Sequence, residues 1–479
     1  MAKHVVVVGA GLGGLATGLR LAHHGCRVTI LEKTGQVGGR NRRIRVGTAD
    51  FDAGPTLVMM LAPFRKLFAD VGEKLEDRLD LTLCDPGYRA WFADRTHVDT
   101  TIDQSKMRKR ISNICEPDAA KFPALMTDLK ALYEDSIPNF VEQNFYSFVD
   151  FFSPRQLARV AKHRMLANLG KRIERTFEDP RIRMLFSFQT MYLGLSPFQA
   201  PWVYATLAYM EFGEGIWYPK GGVAQISEVV AKAASERGAE IRLNSSVAKI
   251  YPDRVILESG EVVHADAVLC NADLPYARRE LVGEPTKKLR NSCSAYLVYA
   301  DYEGELPELL HHNVFFSGDF HHNLRQIFER SEVPDDPSFY VAVSNKTEPD
   351  RAAPENSNLM VLVPCPNLEH RWTEDDAGHL KRCAFERLAK ATSFRPDQVR
   401  AVSTFGPNDW ASELNLDQGA AFGLSHHFRQ SAYFRPGNRS KSNPNLYFVG
   451  ASTVPGNGMP MVLISADLVV QRMKHDGVF

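Results

Sequence analysis

A glycine turn set between two apolar runs predicts an α/β fold built on a Rossmann-type nucleotide domain. His4 is followed by four valines, Val5 to Val8, and then by Gly9-Ala10-Gly11-Leu12-Gly13-Gly14. Leu15, Leu19, Leu21 and Ala22 recur at helical spacing, and Val28-Thr29-Ile30-Leu31 forms a second run that ends at Glu32. Strand, turn, helix and strand, closed by an acid, is the unit that cradles a dinucleotide. Length adds a third observation: 479 residues exceed one simple core, so two or three domains are expected.

Each position of the turn has a physical task. Gly9 permits the tight bend, Gly11 lets a pyrophosphate approach the backbone, and Gly14 lets the helix pack closely on the strand. Free N–H groups and the positive end of the helix then face the pyrophosphate. Glu32 is placed to accept hydrogen bonds from an adenosine ribose, and its charge disfavours the 2′-phosphate of NADP. Gly38-Gly39-Arg40 follows closely, and Phe51-Asp52-Ala53-Gly54-Pro55-Thr56 comes after it. The second glycine pair lets backbone lie against the cofactor, and Arg40 reaches its phosphates or ring edge. These blocks narrow the dinucleotide to FAD.

The rest of the chain carries no repeats and no low-complexity linkers, so its domains are expected to be interleaved. Residues 105–212 show helical periodicity interrupted at Pro138, Pro154 and Pro197. A helix is predicted over 223–236 and a hairpin around Ser259-Gly260 within 254–263, followed by a buried strand over 267–272. Strands at 294–300, 338–345 and 358–364 suit an antiparallel sheet flooring a substrate cavity. The carboxy terminus reads as a strand ending in Val449-Gly450-Ala451-Ser452, a turn-rich loop from Val454 to Pro460, and a helix from Met461 to Met473. A helix amino terminus there suits the pyrimidine carbonyls or ribityl chain of a flavin. The expected architecture is therefore an FAD-binding domain (1–104, 213–280 and 436–479), a helical, membrane-facing subdomain (105–212) and an antiparallel-sheet substrate domain (281–435).

Charge and cysteines bound the partners. Lys plus Arg and Asp plus Glu both number 57, so nothing global points to nucleic acid. The seven cysteines are scattered without a Cys-x-x-Cys pair, which suits reduced thiols in the cytoplasm and argues against a zinc site. The first apolar run is a strand rather than a signal peptide, and no run of eighteen apolar residues is present.

The block Leu446-Tyr447-Phe448-Val449-Gly450-Ala451-Ser452-Thr453-Val454-Pro455-Gly456-Asn457-Gly458-Met459-Pro460 is similar to the terminal signature of the phytoene desaturase family of flavoproteins. That family usually has His where this chain has Val454, and Asn457 is a second departure. Phe51 to Met60, Phe188-Gln189-Thr190-Met191-Tyr192-Leu193-Gly194, Cys293-Ser294-Ala295-Tyr296-Leu297, His312 to Ser317 and Pro407-Asn408-Asp409-Trp410 continue the match in order. Val58-Met59-Met60 and the Phe188 block look more like the C30 branch, the dehydrosqualene (4,4′-diapophytoene) desaturases. The resemblance implies FAD contacts at Gly9, Gly11, Leu12, Gly13, Gly14, Glu32, Lys33, Gly38, Gly39, Arg40, Gly54, Pro55, Thr56, Val247, Gly450, Gly458, Met459 and Val462. It also implies hydride loss from a –CH₂–CH₂– unit to flavin N5 with proton loss from the neighbouring carbon. Positioning is then the main catalytic demand, and no triad is visible. Glu211 is the candidate carboxylate for the proton or the cation. The electron acceptor is open between oxygen and a quinone.

A polyene substrate agrees with residues 139–152, which hold six aromatics, and with Arg155, Arg159, Lys162, His163, Arg164, Lys171 and Arg172 after them. Aromatics beside bases suit a peripheral membrane segment on the cytoplasmic side. At roughly 0.8 kcal/mol per CH₂, a C30 hydrocarbon costs on the order of 20 kcal/mol to bring into water, so it passes from lipid to protein directly. Met59, Met60, Met191 and Met210 suit an adaptable tunnel. The pairs His23-His24, His311-His312 and His321-His322 read as surface or loop residues. Alternatives are a carotenoid oxygenase, a C40 phytoene desaturase or a squalene-pathway redox enzyme of the same fold. A prenyl-binding escort without redox chemistry is disfavoured by the intact flavin motifs.

Overall fold

The computed structural model describes residues 2–284 and 289–479. Five parallel strands form the nucleotide layer in the order Leu446–Phe448, Ala267–Cys270, His4–Val8, Arg27–Leu31 and Glu240–Arg242. The valines explain the layer. Val5 and Val7 pack into one core with the helices Leu12–His23, Ala224–Glu236 and Met459–His475. Val6 and Val8 point to the other face and pack under the antiparallel meander Val247–Tyr251, Arg254–Leu257 and Val262–His264. An unbroken apolar run is what a parallel strand covered on both faces requires. The carboxy-terminal helix begins at Met459 rather than Met461, with Pro460 in its first turn, where a missing N–H costs nothing.

The second layer is a seven-stranded sheet ordered Val399–Phe405, Ser294–Glu303, Asn356–Cys365, Phe339–Ala342, His312–Phe315, Arg89–Trp91 and His97–Asp99. Its pairings are antiparallel except that Arg89–Trp91 runs parallel to His312–Phe315. Here the structure departs from the expected boundary at residue 104. The strands at 89–91 and 97–99 belong to the seven-stranded sheet, because Ala90 and Trp91 stand in parallel register with Val314 and Phe315 and the Trp91 carbonyl accepts the Phe316 N–H at 2.9 Å.

Residues from Gln104 to Glu214 form the helical subdomain, whose longest helix is Glu116–Ser136. Pro138 does not stop the chain there, which continues as a π turn over Ile137–Val141. Among the described residues, no helix is long and apolar enough to cross a membrane. The ribbon Leu81–Cys84 with Ile216–Pro219 closes the subdomain back onto the rest of the fold.

Candidate active site

A connected cavity of about 1360 Å³ runs from the glycine turn, between the two sheets, to the helical subdomain. Of the expected cofactor contacts, Gly9, Gly11, Leu12, Gly13, Glu32, Lys33, Gly38, Gly39, Arg40, Gly54, Pro55, Thr56, Val247, Gly450, Gly458, Met459 and Val462 all line it. Gly14 does not, and its role is packing. A Cβ there would lie 2.2 Å from the Gly9 carbonyl oxygen and 3.2 Å from Val7 Cγ1, so only glycine lets the helix sit this close to the strand.

The nucleotide end is shaped for an anion. The helix Leu12–His23 starts from an extended Gly11 with no side chain capping it, which leaves its first N–H groups directed at the cavity. The Gly38 N–H donates to the Ala10 carbonyl at 2.9 Å and locks the second glycine pair against the first turn. Glu32 is buried, and its carboxylate accepts the Ala10 N–H at 2.8 Å and the Thr34 N–H and hydroxyl at 2.9 Å each. These bonds fix the carboxylate at the end of the strand.

Several residues of the site went unnoticed in the sequence. Asn271 and Asp273 follow the strand Ala267–Cys270 and line the cavity at its carboxyl end, the edge where open α/β sheets bind ligands. Their position just past a predicted strand was the available signal. Asn271 Nδ2 donates to the Gly9 carbonyl at 3.3 Å, and Asp273 accepts the Ser452 hydroxyl at 2.7 Å. Burial raises the Asp273 carboxyl above the usual carboxylate range and lowers Arg40, while each partly offsets the other's shift. Arg40 donates to the Ala421 carbonyl at 2.9 Å.

Arg435 had no signal at all. It is buried and donates to five backbone carbonyls, those of Leu424, Ser425, Gln430, Ala451 and Thr453, at 2.6–3.4 Å. Burial lowers its pKa to about 10. It ties the Gly450 loop to residues 424–430, from which His426 enters the cavity wall. Gly456 lies so close to that histidine that a Cβ would stand 2.3 Å from His426 Nε2.

The residues present fit a flavin. Asn41 Oδ1, Asn457 Oδ1 and His426 Nδ1 are buried without hydrogen-bond partners, and all three residues line the cavity. Buried polar atoms left unpaired are rare, and a ligand bearing both N–H and carbonyl groups satisfies them. A second uncapped helix terminus, at Met459, adds N–H donors on the same side.

Glu211 is placed behind the cavity wall rather than in it. It is buried, and its carboxylate accepts Tyr192 OH at 2.7 Å, Gln189 Nε2 at 2.8 Å and Tyr88 OH at 3.3 Å. Burial pushes its pKa up to about 7, against the pull of those three donors. Tyr192 lines the cavity and is the only one of the three that does.

Residues 12–474 match the flavin-containing amine oxidoreductase family. A zeta-carotene-forming phytoene desaturase of Myxococcus xanthus is 41% identical over 98% of this chain and 94% of its own length. A 4,4′-diapophytoene desaturase of Staphylococcus haemolyticus is 33% identical over 98% of this chain and 99% of its own. The chain belongs to the phytoene desaturase family. It is an FAD-dependent oxidoreductase. In fold it is similar to a crystallised oxidoreductase from Methanosarcina mazei, with a TM-score of 0.65 at 17% identity over 98% of this chain and 100% of that one.

The far half of the cavity in this phytoene desaturase relative is apolar. Phe188, Met191, Leu207 and Phe316 line it, and Phe188 packs edge-on against Tyr192 and Phe316. Met59 and Met210 also line it, whereas Met60 does not and is buried in the small core that holds Tyr133, Met210 and Ile464. The lining continues through Phe140, Phe151, Phe152 and Tyr433 to the surface, where Phe148, Val149, Leu157, Leu166, Phe428 and Phe434 are exposed. Of the bases beyond, Arg155, Lys162, Arg164 and Lys171 are exposed. Arg159 and His163 are instead engaged by Asp135 at 3.0 Å, and Arg172 lies over Trp202. His23, His24 and His321 are at the surface as expected, but His311 and His312 are buried at the start of the strand His312–Phe315.

Proposed function

We propose that this enzyme introduces double bonds into a linear, colourless polyisoprenoid of the phytoene type. The carrying observation is the cavity, which joins a flavin cradle to an apolar channel open at an aromatic, base-flanked surface. When bound, FAD would supply a two-electron acceptor for the departing hydride, with oxygen or a quinone as the final acceptor. The chain's own work is alignment. The glycine turn and Glu32 hold the adenosine half, while Arg435 braces the loop that lies beside the flavin half. The apolar wall lays a saturated –CH₂–CH₂– unit against the reacting edge and keeps water from it. The proton left on the neighbouring carbon passes to the Tyr192 hydroxyl, which hands its own proton to Glu211. A carboxylate with a pKa near 7 is suited to that task at neutral pH.

The C40 substrate phytoene is the first reading, supported by the greater identity to the Myxococcus xanthus desaturase. C30 dehydrosqualene is the second, supported by the Val58-Met59-Met60 and Phe188 blocks and by the staphylococcal relative. The enzyme takes either from lipid, docked on the cytoplasmic face of the membrane by the exposed aromatic mouth. Co-expression in a carotenoid-free bacterial host with a phytoene synthase, and separately with a dehydrosqualene synthase, tests both. Coloured, more conjugated products from one strain identify the substrate. Unchanged precursors in both, from a protein that purifies yellow with FAD, overturn the substrate class and leave the flavin site standing.

A further inference from the structure

A second cluster lies on the far side of the cavity wall and plays no part in the reading above. One imidazole nitrogen of His311, one of His312 and the Cys84 sulfur lie within 4.8 Å of one another. His311 is 6% exposed and His312 not at all. His311 Nδ1 is bonded to the Thr347 hydroxyl at 2.7 Å, and His312 Nδ1 to the Tyr340 hydroxyl at 2.6 Å. Both Nε2 atoms are buried with no partner.

Two buried imidazoles in one place, each with its Nδ1 engaged and its Nε2 empty, form an arrangement that costs stability unless something occupies the nitrogens. With Nδ1–H donating to a hydroxyl, each Nε2 carries a lone pair, which is how an outer hydrogen bond presents a histidine to a metal. Water does not answer for both. The small void beside His311 measures about 10 Å³, is not lined by His312, and sits at the lower edge of the roughly 10–15 Å³ that one water needs. Arg351, whose charge reaches His311, is already neutralised by Asp52 at 3.2 Å.

We propose that Cys84, His311 and His312 bind one soft late-transition cation, Zn²⁺ or Cu⁺, through one sulfur and two imidazole nitrogens. Thiolate with imidazole selects these ions over Mg²⁺ or Ca²⁺. Cys84 ends the ribbon Leu81–Cys84, and His312 opens the strand His312–Phe315, so the ion pins the ribbon to the substrate sheet. It also fixes a cavity wall. The Tyr340 hydroxyl that receives His312 Nδ1–H lies 2.8 Å from Thr56 Oγ1, and Tyr340 and Thr56 both line the flavin cavity.

The test uses the FAD-loaded, full-length protein without a histidine tag, purified under reducing conditions, with metal content read by mass spectrometry. About one equivalent of zinc or copper per chain is expected, and the assay itself tells the two apart. After chelation, Co²⁺ should give tetrahedral d–d bands to the red of the flavin absorption. In Cys84→Ser the metal content should fall at least tenfold with flavin content unchanged, and His312→Gln should lower the metal content likewise. Cys84 is only partly buried, so its serine variant keeps the test informative if the histidine variant fails to fold. A wild-type protein that holds no metal and gives no cobalt bands overturns the proposal. So does metal retained in Cys84→Ser but lost in Cys383→Ser, because Cys383 lies 3.6 Å from His379 and offers a rival pair.

Discussion

The Tyr192 hydroxyl donates to the Glu211 carboxylate at 2.7 Å while Tyr192 itself forms part of the cavity wall. The acid therefore acts on the cavity through a phenol, and its burial gives it a testable titration. With a folded pKa of about 7 against an ordinary carboxylate value of 4.5, the folded chain holds a proton that the unfolded chain has already released. Stability consequently falls as pH rises through that window, by about 3.5 kcal/mol in total at about 1.4 kcal/mol per pKa unit. Glu211→Gln removes the titration. Urea unfolding of both proteins with saturating FAD should show the variant gaining about 2.5 kcal/mol relative to wild type between pH 5 and pH 8. Wild-type turnover should rise through pH 7, and that of the variant should be low and flat. An unchanged stability gap would mean that Glu211 titrates as an ordinary surface acid.

Glu32 accepts three hydrogen bonds at the glycine turn. Hydrogen bonds to a charged group contribute about 1.5–3 kcal/mol, so Glu32→Ala should weaken FAD binding by about tenfold to a hundredfold. Recovery of flavin fluorescence on dilution of the holoprotein measures it. NADP(H) should not compete with FAD in the wild type.

What could be read from the chain alone was what is local in it. The valine strand, the glycine turn and Glu32 are contiguous, and period and turn chemistry place them without knowledge of partners. The helix Ala224–Glu236 and the hairpin around Gly260 are legible for the same reason. The place of Arg89–Trp91 in the second sheet is not legible locally, because its partner strand, His312–Phe315, is remote in sequence and nothing in residues 85–100 announces it. Glu211 was picked from its neighbourhood, but Tyr88 and Gln189, which hold its carboxylate, lie elsewhere in the chain. His311 and His312 read as surface because adjacent polar residues usually are. Their burial depends on Thr347 and Tyr340, which arrive from other elements.

Arg435 is the residue whose loss should cost most for the least warning. Four of the five carbonyls have this guanidinium as their donor, Ser425 also accepting Gln430 Nε2, and an orphaned buried acceptor costs about 1–3 kcal/mol. Arg435→Met should destabilise the protein by about 3 kcal/mol or more, even though methionine restores much of the volume. Arg435→Lys cannot reach all five and should recover only part. Thermal unfolding with and without FAD separates the two losses. The flavin-dependent increment should shrink as well, because the Gly450 loop loses its tie to residues 424–430.

The aromatic mouth sets the last prediction. Val149 is 74% exposed and Phe148 is 56% exposed, beside Arg155 and Lys162 on the same stretch of chain. Phe148 stacks on Phe152 at 4.1 Å yet still presents its outer face to solvent beside Val149, and burial of either side chain in lipid yields about 1.5–3 kcal/mol. Each nearby base adds about 1 kcal/mol on an anionic surface. Val149→Asp removes apolar area and adds repulsion, so binding to vesicles containing anionic phospholipid should fall by about tenfold or more. Arg155→Ala with Lys162→Ala should weaken it in a salt-dependent way. Flavin content and melting temperature should not change in either variant. Desaturation of substrate supplied in vesicles should fall in step with vesicle binding, while substrate supplied in detergent should be turned over as before. Equal vesicle binding by Val149→Asp and wild type would locate the membrane contact elsewhere on the molecule.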